Sequence, residues 1–253
     1  MVNIAVVGCT GKLGGSIIKN VLMRKDTELK FAIARKGNMF VGKKISEIVG
    51  GNSELIIIDD IDLAEDCDVF IDCTNADSFM LNNYVKYEKM RKPLVIATTA
   101  FSTEDIRQIN RLSTMMPIFM TGNFSIALHN FIDTLKYAVK RITDDTDIQI
   151  VEYHHNQKKD APSGTALMIK EALLSSNKRL LPEKVNICSI RGGNIFGAHE
   201  VIIANCKDEV ITLKHQVSSR ETFVDGAIEV AIWMIKQSNG IYNMDTFCNN
   251  KIQ

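Results

Sequence analysis

Six short, continuous apolar runs, NIAVV, KFAIA, ELIII, DVFIDCT, PLVIATT and PIFM, alternate with amphipathic segments through the first half of the chain. No other feature narrows the choice of fold as much. A strand that is apolar on both faces is stable only in a sheet covered on both sides, and helices joining parallel strands supply that cover. Between the runs, Ile17, Ile18, Val21 and Leu22 fall at helical spacing. STEDIRQINRL opens on a Ser/Thr cap and sets Ile106, Ile109 and Leu112 on one stripe. The expected class is α/β, with a Rossmann-type doubly wound parallel sheet over residues 1–124.

After about residue 145 the texture changes. DIQIVEY, VNICSIR, AHEVIIA and EVITLKHQ alternate more nearly at period two, with ANCKDEV as a hairpin turn between the last two. This predicts a smaller α+β domain over 125–219 with a mostly antiparallel sheet, one face of it on a core. The last long helix, TFVDGAIEVAIWMIKQ, places Phe223, Ala227, Val230, Ala231 and Met234 on one side. It is expected to return to the first domain, which residues 220–253 would complete. A chain of 253 residues is long enough for two such cores.

Charge excludes some partners. Thirty Lys and Arg balance thirty Asp and Glu, so no overall field attracts nucleic acid or an anionic membrane, and any anionic ligand must be met by local charge. The cysteines at 9, 67, 73, 188, 206 and 248 form no CxxC pair and several sit in apolar runs, which predicts reduced, buried thiols. MVNIAVVG begins on a strand pattern without a charged leader, and no apolar run approaches the ~20 residues that span a bilayer. These features predict a soluble, cytoplasmic protein.

IAVVGCTGKLGGSII reads as strand, glycine loop, helix. Gly8 permits the tight turn, Gly11 lets the backbone approach a pyrophosphate, and Gly14 lets helix and strand pack closely, while the helix N-terminus offers unpaired N–H groups. Lys12 is placed to reach a phosphate or is simply an exposed lysine. At the end of the second strand, FAIARKG puts Ala34 where a carboxylate would hold the ribose of NADH, and Arg35 and Lys36 follow it. That favours NADPH over NADH.

The densest chemistry is in VEYHHNQKKDAPSGTALMI, residues 151–169. Adjacent residues of a strand point to opposite faces, so His154 and His155 would not share an ion, and no metal is expected. PSGT is not the G-x-S-x-G elbow of a serine hydrolase. As a helix start, Ser163, Gly164 and Thr165 present N–H groups and hydroxyls, with Ala166, Ile169 and Leu173 at helical spacing behind them. Lys158 and a histidine complete an anion cradle with a proton donor, suited to a small dianion. Glu152 either orients His154 from the same strand face or is a surface glutamate.

The segment VEYHHNQKKDAPSGTA closely resembles the signature of the 4-hydroxy-tetrahydrodipicolinate (dihydrodipicolinate) reductase family, E-x-H-H-x-x-K-x-D-A-P-S-G-T-A. The resemblance extends to VVGCTGKLG, VFIDCT, VIATTAF, TGNFSI, SIRGGNIFGAHEV, HQVSSRETF and GAIEVAIW, nearly the whole chain. It implies that His154 is the catalytic acid and Lys158 a second essential donor. His155, Lys158, Ser163, Gly164 and Thr165 match positions that hold the substrate carboxylates. Gly8, Gly11, Lys12, Leu13 and Gly14 match the cofactor loop, Ala34, Arg35 and Lys36 the adenosine side, Thr74 a further cofactor-binding position, and Ala97, Thr98, Thr99, Asn123 and Phe124 the nicotinamide lining. Arg220 matches an arginine near the interdomain cleft. Ala97 and Ala100 stand where the family has the glycines of G-T-T-G-F, and the loop before Val185 lacks the family's R-x-G-x-x-G-x-R stretch.

The reaction so implied is NAD(P)H-dependent reduction of a cyclic imine dicarboxylate with loss of water, in lysine and diaminopimelate biosynthesis. The first domain would carry the cofactor, the second the substrate, and cleft closure would join them. A homotetramer formed through the second domain is also implied. A semialdehyde-dehydrogenase type of enzyme would need an activated cysteine, for which Cys73 and Cys188 show no partner, and a non-catalytic NADPH sensor would not need His154 and Lys158. His129, His199 and His215 read as structural or surface residues.

Overall fold

The computed structural model describes residues 1–143, 145–205 and 207–251. In chain order its strands and α-helices are β1 (Val2–Val7), α1 (Lys12–Val21), β2 (Thr27–Ile33), α2 (Ser46–Val49), β3 (Ile57–Ile58), β4 (Val69–Asp72), α3 (Ala76–Ser78), α4 (Tyr84–Met90), β5 (Leu94–Ile96), α5 (Thr103–Leu112), β6 (Pro117–Met120), α6 (Ile126–Ala138), β7 (Asp147–His154), α7 (Gly164–Ser176), β8 (Val185–Arg191), β9 (Gly197–Ala204), β10 (Val210–Val217), α8 (Glu221–Met234), β11 (Gly240–Tyr242) and α9 (Met244–Lys251). They form two compact units, Met1–Phe124 with Phe223–Gln253, and Ser125–Thr222.

The first unit holds a seven-stranded sheet in the order β11-β6-β5-β4-β1-β2-β3, every pairing parallel. Leaving out β11, this is the doubly wound order, whose direction reverses between β1 and β4. β1, β4 and β5 are buried almost throughout, as their unbroken apolar runs require. Ser102 and Asp105 close a reciprocal cap at the start of α5. The ELIII run yields only the two paired residues of β3, because Asp60 turns the chain at once by accepting from the Asp62 amide. β11, an addition at the far edge, was not anticipated.

In the second unit the sheet order is β10-β9-β7-β8. β7 pairs antiparallel with β9 and parallel with β8. The parallel pairing follows from the connection, since α7 supplies the crossover that two parallel strands need. Ile148 and Ile150 of β7 pack with Leu128, Ile132 and Leu135 of α6 and with Ile169 and Leu173 of α7 in one core. A fully buried side chain of this size contributes roughly 1.5–3 kcal/mol.

The expectation of uniformly buried cysteines needs correction. Cys9, Cys67 and Cys248 are buried, but Cys73 is partly covered and Cys188 exposed. Cys188 lies on β8, an edge strand where it is flanked by exposed Ser189 and Ile190. Cys206 lies outside the described residues, but the ANCKDEV hairpin is otherwise seen: β9 and β10 pair antiparallel, the Asn205 amide donates to the Glu209 carbonyl at 3.1 Å, and Asp208 has φ +61°. No helix among the described residues is long and apolar enough to cross a membrane.

Candidate active site

In the first unit the glycine turn adopts the geometry that its sequence demands. Gly8 has φ +85°, and a Cβ there would lie 2.8 Å from the carbonyl of Cys73, at the end of the neighbouring strand β4. A Cβ on Gly14 would meet the Gly8 carbonyl at 2.4 Å, so helix and turn touch backbone to backbone. α1 begins at Gly11 without a side-chain cap, which leaves its first N–H groups for an anion. Lys12 is exposed and Leu13 half-buried in the first turn.

A cleft of about 710 Å³ runs from Gly8 past Ala34, Arg35 and Lys36 to Thr74. Ala34 is buried, and among the described residues neither Arg35 nor Lys36 makes an ion pair. Asp59 and Asp60 line the same cleft, and Lys86 pairs with Asp60 at 2.7 Å. Its floor rests on a residue that sequence reasoning missed. Asp72, fully buried, accepts from the Thr74 amide and hydroxyl at 2.9 and 2.6 Å, from Thr98 Oγ1 at 3.1 Å, from Asn83 Nδ2 at 3.1 Å and from Tyr87 Oη at 2.7 Å. One carboxylate thereby ties together the loops after β4 and β5. Burial, with Asp72 adding to it, pushes the Cys73 thiol up, which leaves it inert as a nucleophile.

Further along this edge, Ala97 is half-buried and Thr99 exposed. Ala100 has φ +65°, the left-handed region. Asn123 is fastened by its amide to Thr121 Oγ1 at 3.1 Å. Phe124 is core: its ring stacks on Phe119 and its carbonyl would lie 1.9 Å from a Cβ on Gly226 of α8. Arg220 is exposed, in the second unit, just before α8.

The second unit assembles the histidine segment around Glu152. This residue sits on the central strand β7, opposite Ser189 of β8 and His199 of β9. It is fully buried. Its Oε1 accepts from Arg191 Nη2 at 2.8 Å and from the Ser163 amide at 3.2 Å. Burial alone would raise its carboxyl, but hydrogen bonds from Ser163, Ser189 and Arg191 outweigh that and lower it to about 2. Its Oε2 lies 2.9 Å from Nδ1 of His154, two residues along the same face. Of the two roles open to Glu152, orienting His154 or decorating the surface, the first is the one that its burial and this contact support.

His154 is buried, and burial pulls its pKa below the ordinary value even though the Glu152 charge opposes the shift. A Cβ on Gly197 would stand only 3.3 Å from its Nε2, so that glycine keeps the outer edge of the ring clear. His155, half-buried, is on the other side of the strand end. Lys158 reaches Asp160 at 2.9 Å. Ser163 caps α7, its Oγ accepting from the Ala166 amide at 3.2 Å, and Gly164 and Thr165 form the first turn. PSGT is therefore a helix cap, and it also brings Ser163 Oγ within 3.4 Å of His199 Nε2.

His199 stands edge-on to His154, with ring centroids 5.4 Å apart. Burial, then the neighbouring His154, lowers its pKa to about 4. Arg191 also donates to the Asp160 carbonyl at 2.6 Å and so closes the loop over the cluster. Sequence reasoning passes over Arg191 and reads His199 only as a structural or surface residue, whereas the structure buries it in the cluster. Their signal is the register that sets them beside His154 and Glu152, and register is not written in either segment alone. His129 is buried in α6, and His215 packs on Phe131.

Family models for dihydrodipicolinate reductase match this chain over both parts, the N-terminus model at residues 2–124 and the C-terminus model at 127–248. The chain is 35% identical to the 4-hydroxy-tetrahydrodipicolinate reductase of Buchnera aphidicola subsp. Acyrthosiphon pisum (strain Tuc7), with 95% of this chain and 96% of that protein covered. It is 33% identical to the enzyme of the same name from Buchnera aphidicola subsp. Schizaphis graminum, covering 98% and 97%. Among solved structures, dipicolinate-bound dihydrodipicolinate reductase from Paenisporosarcina sp. TG-14 shares the fold with a TM-score of 0.77 at 20% identity, covering 96% and 97%. A probable dehydrogenase from Thermotoga maritima follows the same fold at TM-score 0.65 and 13% identity, covering 98% and 93%.

Proposed function

The chain belongs to the dihydrodipicolinate reductase family and reduces 4-hydroxy-tetrahydrodipicolinate to tetrahydrodipicolinate with a nicotinamide cofactor and loss of water, in lysine and diaminopimelate biosynthesis; we propose that His154 is its proton donor. Hydride delivered to C4 and departure of the hydroxyl as water leave one proton to be supplied. His154 can supply it, with Glu152 fixing the ring and stabilising its charged form. Lys158, with its ammonium lent to the exposed Asp160, exchanges that partner for a substrate carboxylate. His155, Ser163, Gly164 and Thr165 complete the carboxylate cradle at the start of α7. The observation that carries this reading is the buried contact between Glu152 and His154 beside that helix start.

In the same reading, residues 1–124 with the C-terminal segment are the cofactor domain and the second unit is the substrate domain. Gly8, Gly11, Lys12, Leu13 and Gly14 take the pyrophosphate, Thr74 contacts the cofactor from the cleft, Ala97, Thr99 and Asn123 line the nicotinamide with the backbone of the buried Thr98 and Phe124, and Arg220 adds a cation. NADPH is preferred because Ala34 offers no carboxylate and, among the described residues, neither Arg35 nor Lys36 makes an ion pair. A homotetramer formed through the second unit is part of the same reading, with Ile190 and Val210 exposed at the two edges of its sheet. A cytoplasmic setting accords with free thiols at all five described cysteines.

The test is kinetic. His154→Gln and Lys158→Ala should each lower turnover by about 100-fold or more with NADPH binding intact, since general acid catalysis is typically worth 10²–10⁴. Near-normal turnover in both variants would remove the assignment. Pyridine-2,6-dicarboxylate should compete with substrate, and Thr165→Val should weaken it by loss of a hydroxyl donor.

A further inference from the structure

We propose that Glu152, His154 and His199 form a binding site for one divalent transition cation of the zinc class. Each offers one ligand atom, and the three atoms lie within 4.8 Å of one another. All three residues are buried, at 0%, 8% and 5% exposure. Glu152 Oε2 and His154 Nδ1 are buried and, although only 2.9 Å apart, make no aligned hydrogen bond. A cation between them would satisfy both lone pairs at once.

The surroundings are those of a supported ligand set. Glu152 Oε1 is already held by Arg191 and the Ser163 amide, which leaves Oε2 as the coordinating oxygen. His199 Nε2 is steadied by Ser163 Oγ. Such outer hydrogen bonds orient first ligands in metal sites. Two imidazoles and one carboxylate are a donor set zinc takes with a fourth position open, and imidazole nitrogen selects zinc, copper or nickel over magnesium or calcium. Ligand distances near 2.0 Å would set the ligand atoms roughly 3.4 Å apart, a closure from separations of up to 4.8 Å that ring rotation can provide. The adjacent histidines are indeed not the pair: His154 finds its partners two residues back and on the neighbouring strand.

A metal on Nδ1 would take His154 and Glu152 out of proton transfer and inhibit the reductase. That consequence rests on the reading of His154 as proton donor, whereas the binding does not. Zinc chloride titrated calorimetrically into the full chain carrying Cys188→Ser, which removes an exposed competing thiol, should show saturable uptake of one ion per chain. His199→Asn should weaken it at least about tenfold, since even partners outside the ligand set cost 10- to 100-fold. Cobalt(II) in the same Cys188→Ser protein should give d–d bands without thiolate charge transfer. No saturable uptake, a thiolate spectrum, or affinity unchanged in both His199→Asn and His154→Asn would overturn the site. One-to-one, His199-dependent binding that leaves turnover untouched would keep the site and overturn His154 as the proton donor.

Discussion

Replacing Glu152 with Gln keeps the shape of the side chain and removes the charge on which the second unit's cluster is built. The carboxyl is held at about 2 against an ordinary 4.5. That gap, at about 1.4 kcal/mol per pH unit, corresponds to about 3 kcal/mol of stability at neutral pH. Removing one member of a buried pair costs about 3–5 kcal/mol by the independent route of leaving its partner unpaired. Arg191 would still hold the carbonyls of Ile190 and Asp160, so the low end applies. Because the folded pKa is depressed, the contribution is fully present above pH 4.5 and lost as pH falls from there through about 2. Urea unfolding followed by circular dichroism should therefore separate wild type from Glu152→Gln by about 3 kcal/mol at pH 7 and by less than half of that at pH 3. Hydrogen exchange across β7 would assign the change to this unit. The same variant should move the limb of kcat/KM that reports His154 further to the acid side, since the Glu152 charge raises the His154 pKa. Equal stabilities at pH 7, or a gap that does not narrow by pH 3, would refute the pairing as drawn.

Three further outcomes follow from the first unit. Ala100→Gly should raise stability by about 1 kcal/mol in thermal unfolding, because an alanine at φ +65° bears a left-handed strain of about 1–2 kcal/mol that glycine escapes, less its greater unfolded freedom. Gly226→Ala should cost at least about 3 kcal/mol or abolish folding, since the new Cβ would fall 1.9 Å from the Phe124 carbonyl on rigid backbone; a melting temperature within a degree of wild type would contradict the packing. In kcat/KM, NADPH should lead NADH by about tenfold, from charged hydrogen bonds of roughly 1.5–3 kcal/mol discounted for solvent. Ala34→Asp with Arg35→Ser should reverse that preference, and an unchanged ratio would make ARK an ordinary basic turn.

The sequence by itself determined the parts whose causes are local. Unbroken apolar runs can be satisfied only inside a covered parallel sheet, so β1, β2, β4, β5 and β6 were legible, and so was the turn at Gly8, where φ +85° suits a residue without a side chain. Ser163 announced the cap of α7 by its type and by the helical spacing behind it. The resemblance named the chemistry of His154 and Lys158, and alternation along β7 set Glu152 and His154 on one face. Only tertiary structure decided which residues meet them. Arg191 and His199 reach the cluster because β8 and β9 flank β7 in one particular register, and a one-residue slip would turn both away. Asp72 reads as the end of an apolar strand, and its partners Thr98, Asn83 and Tyr87 come from separate loops and helices. The parallel pairing of β8 and the edge strand β11 were hidden for the same reason: strand partners are chosen by connections and by the edges left open, which no single segment encodes.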